Sequence, residues 1–143
     1  MGVKDPAAWV ENVERLYRAY DADAVSALYA PEARTRFSGH LFTPEEVHRH
    51  PHEWFSSIGD YRIDRTFRAA SGDIIVSETT ASYIKHSVAT DAIGDERYAA
   101  GQRYREYGVD IYWVNDAGQI YHKHVIELAE PDDGREPDEP VHA

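Results

Sequence analysis

Asp110 is the residue of this sequence most out of keeping with its neighbours: Val109 precedes it and Ile111-Tyr112-Trp113-Val114 follows. A carboxyl carried by such a run into a concave apolar site loses hydration, which favours its neutral form and lifts its pKa toward the range useful for giving or taking a proton. On a strand with one wet face the same residue points to solvent, where most acids reside. Glu78 is the carboxylate for the complementary role. Across 73–87, Val76, Glu78, Thr80 and Ser82 alternate with Ile75, Ser77, Thr79, Ala81 and Tyr83. If the Glu78 row faces inward, Glu78 takes a proton and Asp110 gives one, since neighbouring carboxylates drive their pKa values apart. A one-residue change of register puts Glu78 outside. His86, just behind that row, is a third group able to shuttle protons near neutral pH.

The other reactive residue types form weaker patterns. His48, His50 and His52 cluster, and His48 and His52 would share a helix face, but Pro51 interrupts the geometry and no third ligand follows at a recognised spacing. No metal site is expected. The absence of Cys excludes disulfides, thiolate catalysis and Cys-ligated metals. No Gly-rich phosphate loop or Ser nucleophile motif occurs, so no cofactor is implied. Trp9, Tyr17, Tyr20, Tyr29, Phe37, Trp54, Phe55, Tyr83, Tyr104 and Tyr112 wall a pocket for a flat hydrophobic ligand, or else make ordinary core.

The elements that must position these groups fall in two halves. Asp5-Pro6 is a helix start, a capping acceptor before a Pro at the first helical position. Trp9, Val13, Leu16, Tyr17 and Tyr20 then mark one helical face. Asp21-Ala22-Asp23 caps a second helix with Ala24, Val25, Leu28 and Tyr29 as its apolar face and Pro31 closing it. Residues 33–39 read as a short strand. Thr43-Pro44-Glu45-Glu46 has the layout of a capping box opening a third helix, in which Pro51 predicts a kink or restart. After Gly59 the stretches 61–69, 73–87, 97–114 and 119–129 are β-rich, broken at Ser71-Gly72-Asp73, around Gly94-Asp95, and at Asn115-Asp116-Ala117-Gly118. The strand over 97–114 is long enough to invite a bulge at Gly101 or Gly108. Three helices before a run of strands predict an α+β domain, helices packed on a curved antiparallel sheet.

The 143 residues suffice for one domain, with 15 basic against 26 acidic side chains and a formal charge of −11. That balance repels phosphate backbones and excludes nucleic-acid and anionic-membrane partners. No apolar run is long enough to cross a bilayer and the first residues lack a signal-peptide pattern, so a cytoplasmic location is expected. The acid concentrates at the end: 130–143 holds six acids, one Arg and three Pro. This reads as a solvated tail behind a domain spanning 1–129.

Two phrases carry a family resemblance. Tyr17-Arg-Ala-Tyr-Asp-Ala-Asp-Ala-Val-Ser-Ala-Leu-Tyr-Ala-Pro-Glu-Ala33 and Gly108-Val-Asp-Ile-Tyr-Trp-Val-Asn-Asp-Ala-Gly-Gln-Ile120, in the order helix–helix–strand–helix–four strands, resemble the nuclear transport factor two-like superfamily, and within it SnoaL-like polyketide cyclases and ketosteroid isomerases. The resemblance, over about residues 6–129, implies a cone with a deep, mostly apolar cavity and a homodimer through the outer sheet face, here including Trp113, His122 and His124. It implies that Asp110 holds the place of an acid donating to a substrate oxyanion. It turns the Lys123–Val125–Glu127 face inward, adding Glu127 as a third candidate base. It makes Tyr17, Phe37, Trp54, Tyr112 and Val125 the shapers of the cavity. The isomerase general base has no counterpart in Thr35-Arg36-Phe37-Ser38, which counts against steroid isomerisation. An epoxide-hydrolase Asp–Arg–Asp set is not apparent either, since Val125 stands where one Asp belongs. The expected function is cofactor-independent acid–base chemistry (isomerisation, cyclisation, dehydration or epoxide opening) on a small hydrophobic metabolite. The alternative is a non-catalytic ligand-binding or dimerisation module, for the fold alone does not select a reaction.

Overall fold

The computed structural model describes residues 2–86 and 98–133. Helix α1 spans Pro6–Arg18, with the Asp5 carboxylate accepting from the Ala8 amide at 3.0 Å, and buries Val10, Val13 and Leu16. Helix α2 spans Ala22–Ala27, capped in the same way by Asp21 on Ala24. It ends before Tyr29: β1 runs Tyr29–Phe37, so Tyr29 and Pro31 belong to a strand that starts earlier than the sequence pattern indicates. After a two-residue β2 (His40–Leu41), α3 covers Pro44–Ser57. The Thr43–Glu46 capping box forms in both directions. Pro51 lies inside α3, which continues through it as one assigned helix; the ring is buried and lines the cavity instead of ending the element.

Four long strands follow: β3 (Ile58–Ser71), β4 (Ile74–Lys85), β5 (Arg103–Val114) and β6 (Ile120–Pro131). The sheet order is β2-β1-β6-β5-β4-β3. Pairing is antiparallel except between β1 and β6, which run parallel, so the sheet is mixed and not purely antiparallel. Irregular register falls in β1 between Tyr29 and Arg34, in β3 near Gly59 and Phe67, and between Trp113 and Val114, not at Gly101 or Gly108. Gly101 (φ +83°) lies in the turn before β5. The turn expected around Gly94-Asp95 lies outside the described residues.

The helices fill the concave face. Trp9 sets its ring edge-on to Tyr112 and donates from Nε1 to the Gly118 carbonyl at 3.1 Å, tying α1 to the β5–β6 turn. The Arg65 amide donates to Glu14 at 2.6 Å, tying α1 to β3. β6 continues two residues past 129, and Glu130 pairs with Arg105 at 2.8 Å. The remainder of the expected tail, from 134 onward, lies outside the described residues. No helix among the described residues is long and apolar enough to cross a membrane.

Candidate active site

Strand parity builds the site. On β5 the inward row is Tyr104, Glu106, Gly108, Asp110 and Tyr112; on β6 it is Lys123, Val125 and Glu127; on β3 it is Tyr61, Ile63 and Arg65. Arg65 stands opposite Thr79 on β4, Thr79 opposite Gly108, and Gly108 opposite Glu127. These rows, with β1 and α3, enclose a cavity of about 80 Å³, room for on the order of half a dozen waters. Its aromatic and aliphatic wall includes Tyr17, Phe37, Phe42, Val47, Trp54 and Val125.

The floor is charged. Asp110, 4% exposed, receives Arg65 Nη1 at 2.8 Å and the Thr79 hydroxyl at 2.6 Å on Oδ2, and Lys123 Nζ stands 3.6 Å from Oδ1. Arg65 Nη1 also lies 2.8 Å from the Tyr112 hydroxyl, and its guanidinium rests on the Tyr17 ring, 4.2 Å from the centroid. Lys123 donates to Tyr29 Oη at 3.3 Å. Burial pushes the Asp110 carboxyl up, but the Arg65 and Lys123 charges and the Thr79 hydroxyl outweigh it and hold the pKa below the usual aspartate value. Burial likewise works against charge on Lys123, and the oxygens of Tyr17, Tyr29 and Asp110 keep the ammonium protonated.

Above this floor stand two carboxyls that can move a proton. Glu106 accepts from Tyr83 Oη at 3.0 Å, and Tyr83 in turn meets the Tyr98 hydroxyl at 3.0 Å. Burial raises the Glu106 pKa, with the nearby Asp110 charge pushing the same way, against the hydrogen bonds from Tyr83 and Glu127 and the charge of Arg65. Glu106, Glu127 and Tyr98 all line the cavity.

The family model of the SnoaL-like domain matches residues 9–123. The chain belongs to the SnoaL-like family. Among solved structures, the SnoaL-like cone matches a candidate polyketide cyclase from Streptomyces antibioticus at TM-score 0.64 and 16% identity, covering 86% of this chain and 91% of that one. An epoxide hydrolase/cyclase-like enzyme of pyran ring formation in the polyether salinomycin matches at TM-score 0.67 and 15% identity, over 86% and 90%. An epoxide hydrolase from M. tuberculosis matches at 0.61 and 15%, over 84% and 80%. At these identities the likeness is one of fold. No curated protein matches the chain.

Within the SnoaL-like cone several expected residues fall elsewhere. Asp110 is inside, as the apolar run indicates, but it is an ionised partner of two cations and not a neutral donor. Glu78 is on the outer face, 2.9 Å from Arg68. Ser77, not Glu78, stands opposite Asp110, so the two carboxylates cannot share a face. His86 is exposed at the end of the sheet, its ring over Gly59, and does not line the cavity. Tyr112 is buried beneath the floor and does not line it either, whereas Tyr17, Phe37, Trp54, Val125 and Glu127 do. The three histidines of α3 part company: His48 bonds the Pro44 and Tyr29 carbonyls, His50 packs between Phe42 and Trp54, and His52 faces Asp23. No metal-holding cluster occurs among the described residues. The cavity is also less greasy than expected, since Arg65, Lys123, Asp110, Glu106 and Glu127 all line it.

Arg65 and Glu106 are the additions that the sequence reading missed. Both carried a signal. Arg65 continues the apolar row of Tyr61 and Ile63, and Glu106 has the parity of Asp110 four residues earlier.

Proposed function

We propose that this SnoaL-like protein is an acid–base enzyme in which Glu127 and Glu106 exchange a proton with a carbonyl- or hydroxyl-bearing metabolite in the cavity. The observation that carries this reading is that two carboxyls from the paired strands β5 and β6, Glu106 and Glu127, line one cavity, with Glu106 accepting from Tyr83 Oη at 3.0 Å. Burial raises the Glu106 pKa, which suits Glu106 to the acid role in proton transfer. Glu127, as the carboxylate, takes a proton from carbon or hydroxyl; Glu106, as the acid, returns one to carbon or to a departing oxygen. The Tyr83–Tyr98 hydroxyls extend the chain along which a proton moves. Arg65 and Lys123, fixed by Asp110, place positive charge where negative charge develops on a substrate oxygen. The apolar part of the ligand packs on Phe37, Phe42, Val47, Trp54 and Val125. Isomerisation, cyclisation, dehydration and epoxide opening all use this equipment, and no organic or metal cofactor enters the scheme.

The test is deuterium exchange next to the carbonyl of small ketones in D2O, followed by NMR. The wild-type protein accelerates exchange, and Glu106→Gln and Glu127→Gln each lower the acceleration by about 10²–10⁴-fold. Exchange untouched by both substitutions overturns the assignment and leaves a binding module.

A further inference from the structure

The outward row of β6 is complementary to itself. Lys123, Val125 and Glu127 take the inward places, so the opposite face carries His122, His124, Ile126, Leu128 and Glu130 in turn. Asp132, whose amide donates to the Arg103 carbonyl at 2.9 Å, extends the row by one place. The row thus holds two histidines, then two exposed aliphatic side chains, then two acids. Reversed about position 127 it falls on itself: 126 meets 128, 124 meets 130 and 122 meets 132.

The neighbouring strands sharpen this polarity. β1 borders the histidine end, pairing Arg34 with His122 and Arg36 with His124. Both arginines are exposed, and among the described residues neither makes an ion pair. Trp113 lies at the same end, in ring contact with both histidines. At the other end Glu130 holds Arg105 at 2.8 Å, and Asp132 and Asp133 act on that same guanidinium. One chain cannot bring its two ends together, since His124 and Glu130 stand about 20 Å apart along the strand.

A second copy can. Two sheets stacked face to face about a two-fold axis keep β6 over β6 in two ways. With the axis along the strands, basic end lies over basic end and acid end over acid end, and like charges oppose association. With the axis across the strands, each basic end lies over an acid end and Ile126 of each copy over Leu128 of the other. We infer that two copies of this chain associate head to tail across β6, with Arg34, Arg36, His122 and His124 of each copy meeting Glu130, Asp132 and Asp133 of the other. Tyr107 and Val109, opposite Leu128 and Ile126 on β5, widen the apolar centre between the two charged contacts. The aliphatic row supplies buried area, and the charged ends set the direction.

The experiment is sedimentation equilibrium of the full chain at micromolar concentration, in low salt and in about 0.5 M NaCl. The wild type is expected to dimerise, with a Kd about tenfold or more higher at the greater salt concentration. Two double variants reverse one end each: Arg34→Glu with Arg36→Glu, and Glu130→Lys with Asp132→Lys. Each alone sets like charge against like at both contacts and should weaken its homodimer by about tenfold or more. Mixed in equal amounts the two should recover wild-type affinity as a heterodimer, because every basic end again meets an acid one. Circular dichroism checks that the variants fold; if either does not, the salt dependence of the wild type decides alone. A wild-type monomer, a dimer indifferent to salt or tightened by it, variant homodimers as tight as the wild type, or a mixture that fails to associate overturns the head-to-tail arrangement.

Discussion

Asp110 and Glu106 lie on one face of one strand and titrate in opposite senses. Asp110 is depressed by its cations, so its contribution to stability is present above its unfolded value of about 3.9 and is lost as pH falls through the folded value. Asp110→Asn strands two buried cations and is expected to destabilise the protein by about 3–5 kcal/mol, read from urea midpoints at pH 7. An Asn variant of wild-type stability would mean that the ion pair is not buried as described. Glu106 is raised, so the folded state holds its proton more tightly than the unfolded chain does. Its charge destabilises the fold progressively as pH rises from about 4.3 through the folded value. Glu106→Gln removes that penalty, and its stability relative to wild type should improve between pH 4 and pH 8. A difference flat across that range would show that Glu106 keeps an ordinary carboxylate pKa.

At the scale of elements, what was legible is what depends on local rules. The caps at Asp5, Asp21 and Thr43 form as their side chains dictate, because a cap needs only its own first turn. The inward Lys123–Val125–Glu127 row was legible through the family likeness and the two-residue period of a strand. What was not legible needed register between strands distant in sequence. Glu78 is excluded because β4 pairs Ser77 with Asp110, and no residue near Glu78 specifies that pairing. For Asp110 the sequence left the inward and the solvent-facing placements open, and it held no sign of the depressed pKa, since Arg65 reaches the carboxylate from 45 residues away. Gly108 shows how closely pairing positions the site. A Cβ there would stand 3.0 Å from the Ile126 carbonyl oxygen and 3.1 Å from Glu127 Cβ. Gly108→Ala should therefore displace Glu127 and lower exchange by about tenfold or more while far-ultraviolet circular dichroism stays unchanged. Undiminished exchange would mean that Glu127 tolerates the shift and is not the positioned base.

The whole molecule presents an outer sheet face that the cone does not cover. Tyr107 stands opposite Leu128 and Val109 opposite Ile126, with Trp113, His122 and His124 in ring contact beyond them. Leu128 and Ile126 are each 65% exposed and Tyr107 is 51% exposed. We propose that a second copy covers this face, since an apolar row of this kind left in water favours association. Sedimentation at micromolar concentration should give a dimer, and Ile126→Lys with Leu128→Lys should give a folded monomer. A wild-type monomer would refute this.

The parallel pairing of β1 with β6 has a consequence for synthesis. As the ribosome extrudes the nascent chain, α1, α2 and β1 emerge early, yet the neighbour that β1 requires is encoded some ninety residues later. Until that strand arrives, β1 has only the two-residue β2 beside it in the sheet, and Asp110 and Glu106 lack the lysine and the carboxyl that complete them. The β1–β6 pairing therefore waits until nearly the whole domain has emerged, and no product that stops short of β6 holds the complete pocket.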